Sequence, residues 1–218
     1  MSATLPAITD RPVRLGVLIS GGGTTLLNFL DCISRGTLRA EIPLVISSQK
    51  TCAGVTRAQN AGLNCAAVCR SDFLSTAEFS RAVFEKLRAA DVDLVTLAGY
   101  LCLLQIPEDF SNRVLNIHPS LIPAFAGRGM YGDHVHQAVC DRGVQVSGCT
   151  VHFADNEYDH GPIVLQRAVN LPPGADPGTI AALVFEEEKQ AYPEAIRRVI
   201  SGQLRIDGRR TIFHSSER

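Results

Sequence analysis

Two polar side chains, Asn116 and His118, lie two residues apart in a short apolar run that prolines then end. The run reads Leu115-Asn-Ile-His-Pro-Ser-Leu-Ile-Pro123. At the end of a strand both side chains would point to the same face, because strand side chains alternate. An amide and an imidazole so placed can donate hydrogen bonds to one oxygen that gains charge in a transition state. The pattern indicates carbonyl chemistry. The alternative is that Asn116 caps a turn and His118 is a structural histidine.

Asp159 is the acid that could join this pair. It lies in Tyr158-Asp-His-Gly-Pro162, where glycine and proline would hold a carboxylate rigidly between two strands. If this turn folds back toward His118, Asp159 would stabilise the imidazolium and raise the pKa of His118. The alternative is an acid that only forms the turn. A serine hydrolase triad is excluded, because Gly-x-Ser-x-Gly is absent and Ser120 follows a proline.

The remaining histidines give weaker indications. His134 and His136 are two apart on a predicted helix, so they do not face one metal ion together. His152 lies within a predicted strand and His160 lies beside Asp159, and we expect core or supporting roles for both. No metal site is expected.

A glycine turn, Ser20-Gly-Gly-Gly-Thr-Thr25, leaves an apolar run and opens a helical pattern. Its backbone N–H groups and the helix dipole would form an anion site suited to phosphate. The turn is not a dinucleotide fingerprint, because Leu26 stands where a third glycine belongs, and it lacks the Gly-Lys-Ser/Thr ending of a triphosphate loop. A tight turn without a ligand is the alternative.

Short apolar runs alternate with amphipathic stretches along the chain. Strands are predicted at residues 14–19, 41–47, 64–69, 94–98, 113–117, 145–153 and 163–169. Helices are predicted at residues 26–35, 52–61, 76–90, 134–142 and 178–200. This alternation predicts a Rossmann-like α/β fold, an open and mostly parallel sheet with helices on both faces. The short connection between the last two strands predicts an antiparallel pair.

Three local features refine this prediction. Pro43 is expected at the start of its strand or on an edge strand. Ser75-Thr-Ala-Glu78 is a capping box that should open the third helix. Residues 124–133 contain several glycines and should form a surface loop that can move. A short polar tail is expected after residue 200.

Length and composition favour one domain. The chain has 218 residues, of which 45% are hydrophobic, enough for one sizeable core. We expect a single domain over 1–218 with a core of about 14–206. The 21 Lys and Arg are scattered among 22 acids, for a net charge of -1, so no nucleic-acid partner is expected. The partner should be a small molecule.

The sequence also predicts a cytoplasmic protein. No apolar run approaches the roughly 18 residues of a membrane span, and the first 13 residues lack the basic start and hydrophobic centre of a secretory signal. The seven cysteines lie mostly in apolar segments without paired Cys-x-x-Cys spacing. Buried thiols in a reducing compartment are therefore expected, and the close pair Cys65 and Cys69 is not expected to bind metal.

Five motifs together resemble a known family, the phosphoribosylglycinamide formyltransferases (GAR transformylases) among the folate-dependent formyltransferases. The likeness covers about residues 14–204. An Asn-x-His-Pro-Ser segment with a downstream Asp-x-Gly-Pro is typical of the wider group, and the glycine turn without an extra domain favours the phosphoribosyl member. The motifs, in order, are Ser20-Gly-Gly-Gly-Thr-Thr25, Leu97-Ala-Gly-Tyr100, Asn116-Ile-His-Pro-Ser-Leu-Ile-Pro123, Thr150-Val-His-Phe153 and Asp159-His-Gly-Pro162.

The resemblance implies a formyltransferase fold and a role for each matched position. Asn116, His118 and Asp159 match the catalytic trio, and Glu188 matches an acid that contacts the ribosyl-glycinamide substrate. The positions that match the substrate phosphate loop are Gly22, Gly23, Thr24 and Thr25. The positions that match the folate-binding segments, largely through main-chain groups, are Leu101, Cys102, Leu103, Leu104, Ala154, Asp155, Asn156, Glu157 and Tyr158, and Asn116 also borders the folate.

Several positions depart from the family pattern. The family usually has Asn at the position of Thr25, Arg at that of Cys102, and near Thr76 an Arg that reaches the folate tail. Residues 124–133 form a longer loop than in the commonest members. These departures concern the affinity and the tail contact rather than the chemistry.

The resemblance implies transfer of the formyl group of 10-formyltetrahydrofolate to the amine of glycinamide ribonucleotide, a step of de novo purine biosynthesis, with both ligands in one cleft at the carboxyl ends of the strands. The cosubstrate is a folate and no metal is implied. One alternative is a formyltransferase acting on another amine, such as a nucleotide-linked amino sugar. A nicotinamide oxidoreductase is disfavoured by Leu26 and by the lack of a clear ribose-binding acid. A non-catalytic folate or nucleotide binder is disfavoured by the intact trio.

Overall fold

The computed structural model describes residues 2–4, 7–8 and 10–213. The strands within these ranges are β1 (Ser2–Thr4), β2 (Val13–Ile19), β3 (Ala40–Ser47), β4 (Cys65–Ala67), β5 (Leu94–Leu97), β6 (Val114–His118), β7 (Val146–Phe153), β8 (Ile163–Asn170), β9 (Leu204–Asp207) and β10 (Arg210–Phe213). The α-helices are α1 (Thr24–Ser34), α2 (Ala53–Asn60), α3 (Thr76–Ala89), α4 (Asp133–Arg142) and α5 (Pro177–Ile200).

The chain divides into two compact units. The first is Ile8–Leu115, and the second joins the N-terminal strand β1 to the described residues from Asn116 onward. The boundary lies inside β6, so this strand contributes its first two residues to one unit and Asn116 to His118 to the other.

The first unit is built on a parallel ladder. β2 pairs in parallel with β3 and with β5, and β3 pairs in parallel with β4. The two central strands are almost completely buried, which explains why they read as continuous apolar runs rather than as alternating ones. Their buried side chains include Leu15, Val17, Leu18, Leu44, Val45 and Ile46.

Pro43 is the fourth residue of β3. β3 lies between β4 and β2 in the sheet order, but its pairing with β4 begins only at Val45, so Pro43 lies on a local edge, as predicted. The ladder with β2 shifts register between Arg14 and Gly16, opposite this part of β3. A proline has no N–H to donate, so an irregularity of the ladder accommodates it within the strand.

Helix α3 begins where the capping box predicts. The hydroxyl of Ser75 accepts a hydrogen bond from the N–H of Glu78 at 3.1 Å. The carboxylate of Glu78 returns to the N–H of Leu74 at 3.2 Å, one residue before the capping residue. Phe79, Val83 and Leu87 form the fully buried stripe of this helix, at the spacing expected for an amphipathic helix.

The second unit contains the predicted antiparallel pair. β7 and β8 pair antiparallel, with Val146 opposite Asn170 and Val151 opposite Leu165. The long helix α5 packs on both strands and on α4. An Asp176 side-chain oxygen caps its first turn by accepting from the N–H of Thr179 at 2.7 Å. This helix buries Ile180, Val184 and Tyr192.

The polar tail predicted after residue 200 is wrong. β9 pairs antiparallel with β10 and with β1 in a separate three-stranded sheet. Gly208, with φ 59°, lies in the two-residue connection between β9 and β10, as in a tight hairpin. Leu204 and Ile206 are buried, so the segment has a small apolar face of its own.

The predicted fold class is confirmed. The larger sheet has the order β4-β3-β2-β5-β6-β7-β8 and is mostly parallel, with β8 antiparallel to β7. Helices connect its strands, as in other open α/β sheets. The strand order does not test the prediction of a single domain, which stays a prediction.

Candidate active site

Asn116, His118 and Asp159 converge in the second unit. Asn116 and His118 come from β6, two residues apart, and Asp159 comes from the turn between β7 and β8. Nδ1 of His118 lies 3.5 Å from Oδ2 of Asp159, and Nδ2 of Asn116 lies 3.4 Å from Oδ1 of the same carboxylate. The turn therefore folds back toward His118, which meets the condition for the predicted constellation. Asp159 has φ 53°, a left-handed conformation that aspartate tolerates better than most residues.

His152 completes the group. Its Nδ1 lies 2.9 Å from the carbonyl oxygen of Phe153, so Nδ1 carries the hydrogen and donates. Nε2 must then accept, and Nδ2 of Asn116 lies 3.1 Å from it. This chain of donors fixes the orientation of the Asn116 amide, with its NH2 toward His152 and Asp159. The sequence predicted a core or supporting role for His152 but not this contact, although Thr150-Val-His152 has the alternation that could have revealed it.

The electrostatics of His118 differ from the prediction. Burial lowers the pKa of His118, and the attraction of Asp159 and the hydrogen bond to the carbonyl of Phe125 offset that only in part. Asp159 acts in the predicted direction, but the net pKa is lowered rather than raised, because a side chain that is 3% exposed loses more hydration than one carboxylate at 3.5 Å returns. At neutral pH the imidazole is neutral.

Asp159 stays ionised. Burial would raise its pKa, but the contacts from His152, His118 and the N–H of Gly127 together lower it. Gly127 donates to Oδ2 of Asp159 at 2.9 Å. The site therefore holds a carboxylate beside a neutral imidazole, and a proton taken up at Nδ1 of His118 would lie next to that carboxylate.

The start of the 124–133 loop contacts this group. Nε2 of His118 lies 2.8 Å from the carbonyl oxygen of Phe125, so the neutral imidazole carries its hydrogen on Nε2 and donates to that carbonyl. Phe125 has φ 50°, and the hydroxyl of Ser120 donates to the carbonyl of Ala124 at 2.6 Å. These contacts place a carbonyl acceptor where His118 presents its donor.

The glycine turn lies in the first unit and requires glycine at one position. Gly23 has φ 73° and is the residue before α1. A Cβ there would lie 2.7 Å from Cα of Gly54, so a side chain would collide with backbone. Gly54 donates its N–H to the carbonyl of Gly21 at 2.9 Å. The first turn of α2 therefore packs directly against the glycine turn.

Arg57 is a residue that sequence reasoning missed. From α2, its Nη1 donates to the carbonyl of Gly22 at 2.5 Å. Within the part of the chain that the structure describes, no ion pair joins Arg57 to a carboxylate. The glycine turn exposes Gly21, Gly22 and Thr24, so donors and a cation lie together at an open surface. No local sequence signal links residues 35 positions apart.

A family model described as formyl transferase matches residues 13–196. The chain belongs to the formyl transferase family. It is 36% identical over 195 residues to the phosphoribosylglycinamide formyltransferase of Haemophilus influenzae, covering 88% of this chain and 90% of that protein. It is 36% identical to the trifunctional purine biosynthetic protein adenosine-3 of Gallus gallus, covering 91% of this chain but 20% of that protein. The chain thus spans about a fifth of the trifunctional relative.

Solved structures agree with this membership. The crystal structure of glycinamide ribonucleotide transformylase 1 from Symbiobacterium toebii is 40% identical to this formyl transferase, with a TM-score of 0.88, over 95% of this chain and 96% of that one. The phosphoribosylglycinamide formyltransferase of Coxiella burnetii, solved in complex with CHES, is 29% identical with a TM-score of 0.85, over 93% and 94% of the two chains. The fold of this formyl transferase is therefore that of these enzymes.

The two predicted folate segments lie in different units, residues 101–104 in the first and residues 154–158 in the second. Leu101 is 54% exposed and donates its N–H to the hydroxyl of Ser20 at 2.9 Å, whereas Leu104 is buried. Burial raises the pKa of the Cys102 thiol, so this side chain is neutral. In the other segment, Oδ1 of Asp155 accepts from the N–H of Glu157 at 2.9 Å.

Glu188 occupies α5 and is half-buried. Burial raises its pKa to about 7, and in the described residues no ion pair compensates it. Its neighbour Glu187 instead pairs with Arg167 at 2.7 Å. A carboxyl without a partner is costly to bury, which is consistent with a group kept for a ligand.

No group of three or more His, Cys, Asp or Glu side chains among the described residues has an arrangement suited to a metal ion. No helix among these residues is long and apolar enough to span a membrane.

Proposed function

We propose that this formyl transferase moves the formyl group of 10-formyltetrahydrofolate to the amine of glycinamide ribonucleotide, a step of de novo purine biosynthesis. The convergence of Asn116, His118 and Asp159 carries the proposal, because these are the groups that acyl transfer to an amine needs. The acceptor is taken from the names of the two bacterial relatives described above. The single domain and cytoplasmic location predicted from the sequence belong to this proposal.

In the proposed reaction the acceptor amine attacks the formyl carbon. A new carbon–nitrogen bond forms while the carbonyl oxygen gains negative charge. To stabilise that oxyanion, Nε2–H of His118 would exchange the carbonyl of Phe125 for the substrate oxygen, and the NH2 of Asn116 would turn from His152 or Asp159 toward it. The amine gives up a proton to His118, the bond to N10 of the folate breaks, and the imidazolium returns that proton to N10.

Asp159 accounts for the proton movement. Its carboxylate faces Nδ1 of His118, so an imidazolium formed during the reaction would be stabilised on that side. A neutral His118 in the free protein suits this role, because negative charge on the reacting oxygen favours protonation only when it develops. His118 therefore stays neutral beside the ionised Asp159 until the substrates are bound.

The glycine turn would hold the acceptor phosphate. The N–H groups of residues 22–25 and the start of α1 point to an anion site, and Thr24 is exposed there. These groups carry no net charge, whereas a phosphate monoester carries nearly two negative charges. Arg57 is the cation that would balance it. Glu188 would contact the ribosyl-glycinamide part, and the segments that contain Leu101 and Asp155 would hold the pterin.

The rival functions are not favoured. A nicotinamide oxidoreductase does not fit a chain whose matched family is formyl transferase. A formyltransferase for a nucleotide-linked amino sugar is disfavoured, since the relatives given above carry the phosphoribosylglycinamide name.

The proposal is tested by supplying purified protein with 10-formyltetrahydrofolate and one amine at a time. The amines are glycinamide ribonucleotide, its dephosphorylated riboside and a nucleotide-linked amino sugar. We expect rapid loss of the formyl donor with the ribonucleotide alone. Loss that is equally fast with the amino sugar, or none with the ribonucleotide, would contradict the proposal.

A further inference from the structure

The hairpin formed by β9 and β10 contacts the turn that carries Asp159. Nη2 of Arg209, between the two strands, donates to the carbonyl of His160 at 2.7 Å, and Nη1 bonds to Nε2 of the same imidazole. Thr211 on β10 donates its hydroxyl to the carbonyl of Ile163 at 2.6 Å. This hairpin lies beyond residues 13–196, the part that the family model matches.

The two hydrogen-bond partners of His160 determine which ring nitrogen carries the hydrogen. Arginine has no acceptor, so Nε2 of His160 must accept from Arg209. Nδ1 therefore carries the hydrogen and donates to Oδ2 of Asp155 at 2.7 Å. Asp155 also accepts from the N–H of Glu157 through its other oxygen, at 2.9 Å. Arg209 thus closes a continuous set of hydrogen bonds around both sides of the turn.

Hydrogen bonds are needed to hold the conformation of this turn. Asp159 is held with φ 53°, and its neighbour Tyr158 is 45% exposed, so little apolar packing holds this side of the turn. On the other side Gly161 fits tightly, since a Cβ there would lie 1.9 Å from the carbonyl oxygen of Phe153. His160 lies between these two sides, and Arg209 contacts both its ring and its carbonyl.

We infer that Arg209 is a positioning residue, which holds the turn so that the carboxylate of Asp159 stays within reach of His118 and Asn116. Thr211 assists by fixing Ile163, the first residue of β8. The inference rests on the proposed function, because positioning matters only if Asp159 takes part in the transfer. A displacement of a catalytic group by a fraction of an ångström is enough to lower a rate without preventing substrate binding.

The test compares Arg209→Ala with Arg210→Ala. Arg210 is the next residue, is also exposed, and pairs through its backbone with Asp207. For Arg209→Ala we expect kcat to fall about threefold to tenfold with little change in KM for either substrate. Arg210→Ala should behave as wild type. A kcat unchanged in Arg209→Ala, or lowered equally in both variants, would overturn the inference.

Amide hydrogen exchange gives a second readout that needs no substrate. In Arg209→Ala the amides of residues 159–161 should exchange at least about tenfold faster than in wild type, and the ¹⁵N shift of Nε2 of His160 should lose its hydrogen-bonded value. Unchanged exchange would overturn the inference whatever amine the enzyme uses. If wild type fails to formylate glycinamide ribonucleotide, the proposed function is wrong, but hydrogen exchange still shows whether Arg209 holds the turn.

Two further variants apply if Arg209→Ala does not fold. Arg209→Lys keeps the charge but cannot contact the ring and the carbonyl of His160 together. Thr211→Val keeps the guanidinium and removes only the hydroxyl bonded to Ile163. Each should speed exchange at residues 159–161, by less than the alanine variant would. Wild-type exchange in both would overturn the inference.

Discussion

Nδ1 of His118 lies 3.5 Å from Oδ2 of Asp159, and the two side chains are 3% and 8% exposed. Burial lowers the pKa of His118 although the carboxylate opposes this, whereas the contacts of Asp159 keep its own pKa low. The pair is therefore a neutral base beside an anion before substrates bind. Charge that develops on the formyl oxygen is what makes the imidazolium favourable.

Replacement of Asp159 by Asn should preserve the fold and lower kcat about 10²-fold or more, because a positioned acid–base partner is lost. Asn tolerates the left-handed conformation at this position. KM for both substrates should change little. Since Asp159 raises the pKa of His118, its removal should move that pKa further down, which an NMR titration of the imidazole would measure. Near wild-type turnover at neutral pH would make Asp159 only a turn former; Asp141→Asn, an exposed change on α4, is the control.

Replacement of Arg57 by Ala should raise KM for the phosphorylated acceptor about tenfold or more, because a hydrogen bond to a charged group contributes about 1.5–3 kcal/mol. kcat should stay near wild type. Arg81→Ala, exposed on α3 of the same unit, is the matched control and should change neither constant. The decisive comparison uses the dephosphorylated riboside. If Arg57→Ala weakens the riboside as much as the ribonucleotide, Arg57 does not contact the phosphate.

Replacement of Gly22 by Asp should abolish acceptor binding and leave the binding of a folate analogue measurable. Gly22 is exposed, and a Cβ there would meet nothing nearer than Nη1 of Arg57 at 3.7 Å, so the turn can accept a side chain. The new carboxylate would repel phosphate and pair with Arg57. Gly22→Ala provides the steric control. Gly23 is unsuitable, because a Cβ there collides with Gly54 and would disturb the turn itself. Equal loss of both ligands in Gly22→Asp would mean that the turn only supports the fold.

Replacement of Glu188 by Gln should raise the free energy of unfolding above that of wild type by more at pH 8 than at pH 5. With a folded pKa of about 7 against an ordinary 4.5, the folded protein holds a proton that the unfolded chain has released. This carboxyl's contribution is complete below pH 4.5 and is lost as the pH rises through 7. One pKa unit corresponds to about 1.4 kcal/mol, and because the side chain is only half-buried we expect about 1–2 kcal/mol in all.

Denaturant unfolding at the two pH values measures this difference. Glu186→Gln is the control, because Glu186 is exposed and pairs with Lys189. A Glu188→Gln variant whose advantage over wild type is the same at pH 5 and pH 8 would show that Glu188 does not titrate near neutrality. A raised KM for the acceptor in the same variant would support its proposed substrate contact.

The sequence predicted those parts of the fold that rest on local patterns. Periodicity placed the strands and helices, and the Ser75 capping box placed the start of α3. It missed β9 and β10, because Leu204 and Ile206 supply only two buried positions and their partner β1 lies at the opposite end of the chain. Asp207-Gly208 was the turn signal that could have revealed this hairpin.

The candidate site divides in the same way. Asn116 and His118 could be paired from their spacing, whereas the turn of Asp159 left open whether the carboxylate would return to them. The direction of the net pKa shift of His118 could not be predicted from the sequence, because it depends on how completely the imidazole is buried. Arg57 reaches Gly22 only through the packing of Gly54 against the turn, a contact between separate elements.

The most direct test of the account is a competition followed by ¹³C NMR. Wild-type protein receives a ¹³C-formyl folate donor together with glycinamide ribonucleotide and a nucleotide-linked amino sugar at equal concentration, and Asn116→Ala is run beside it. We expect the label to appear only as the formamide of the ribonucleotide, and about 10²-fold or more slowly in the variant, since one oxyanion donor is lost. Label on the amino sugar, or transfer by Asn116→Ala at the wild-type rate, would contradict it.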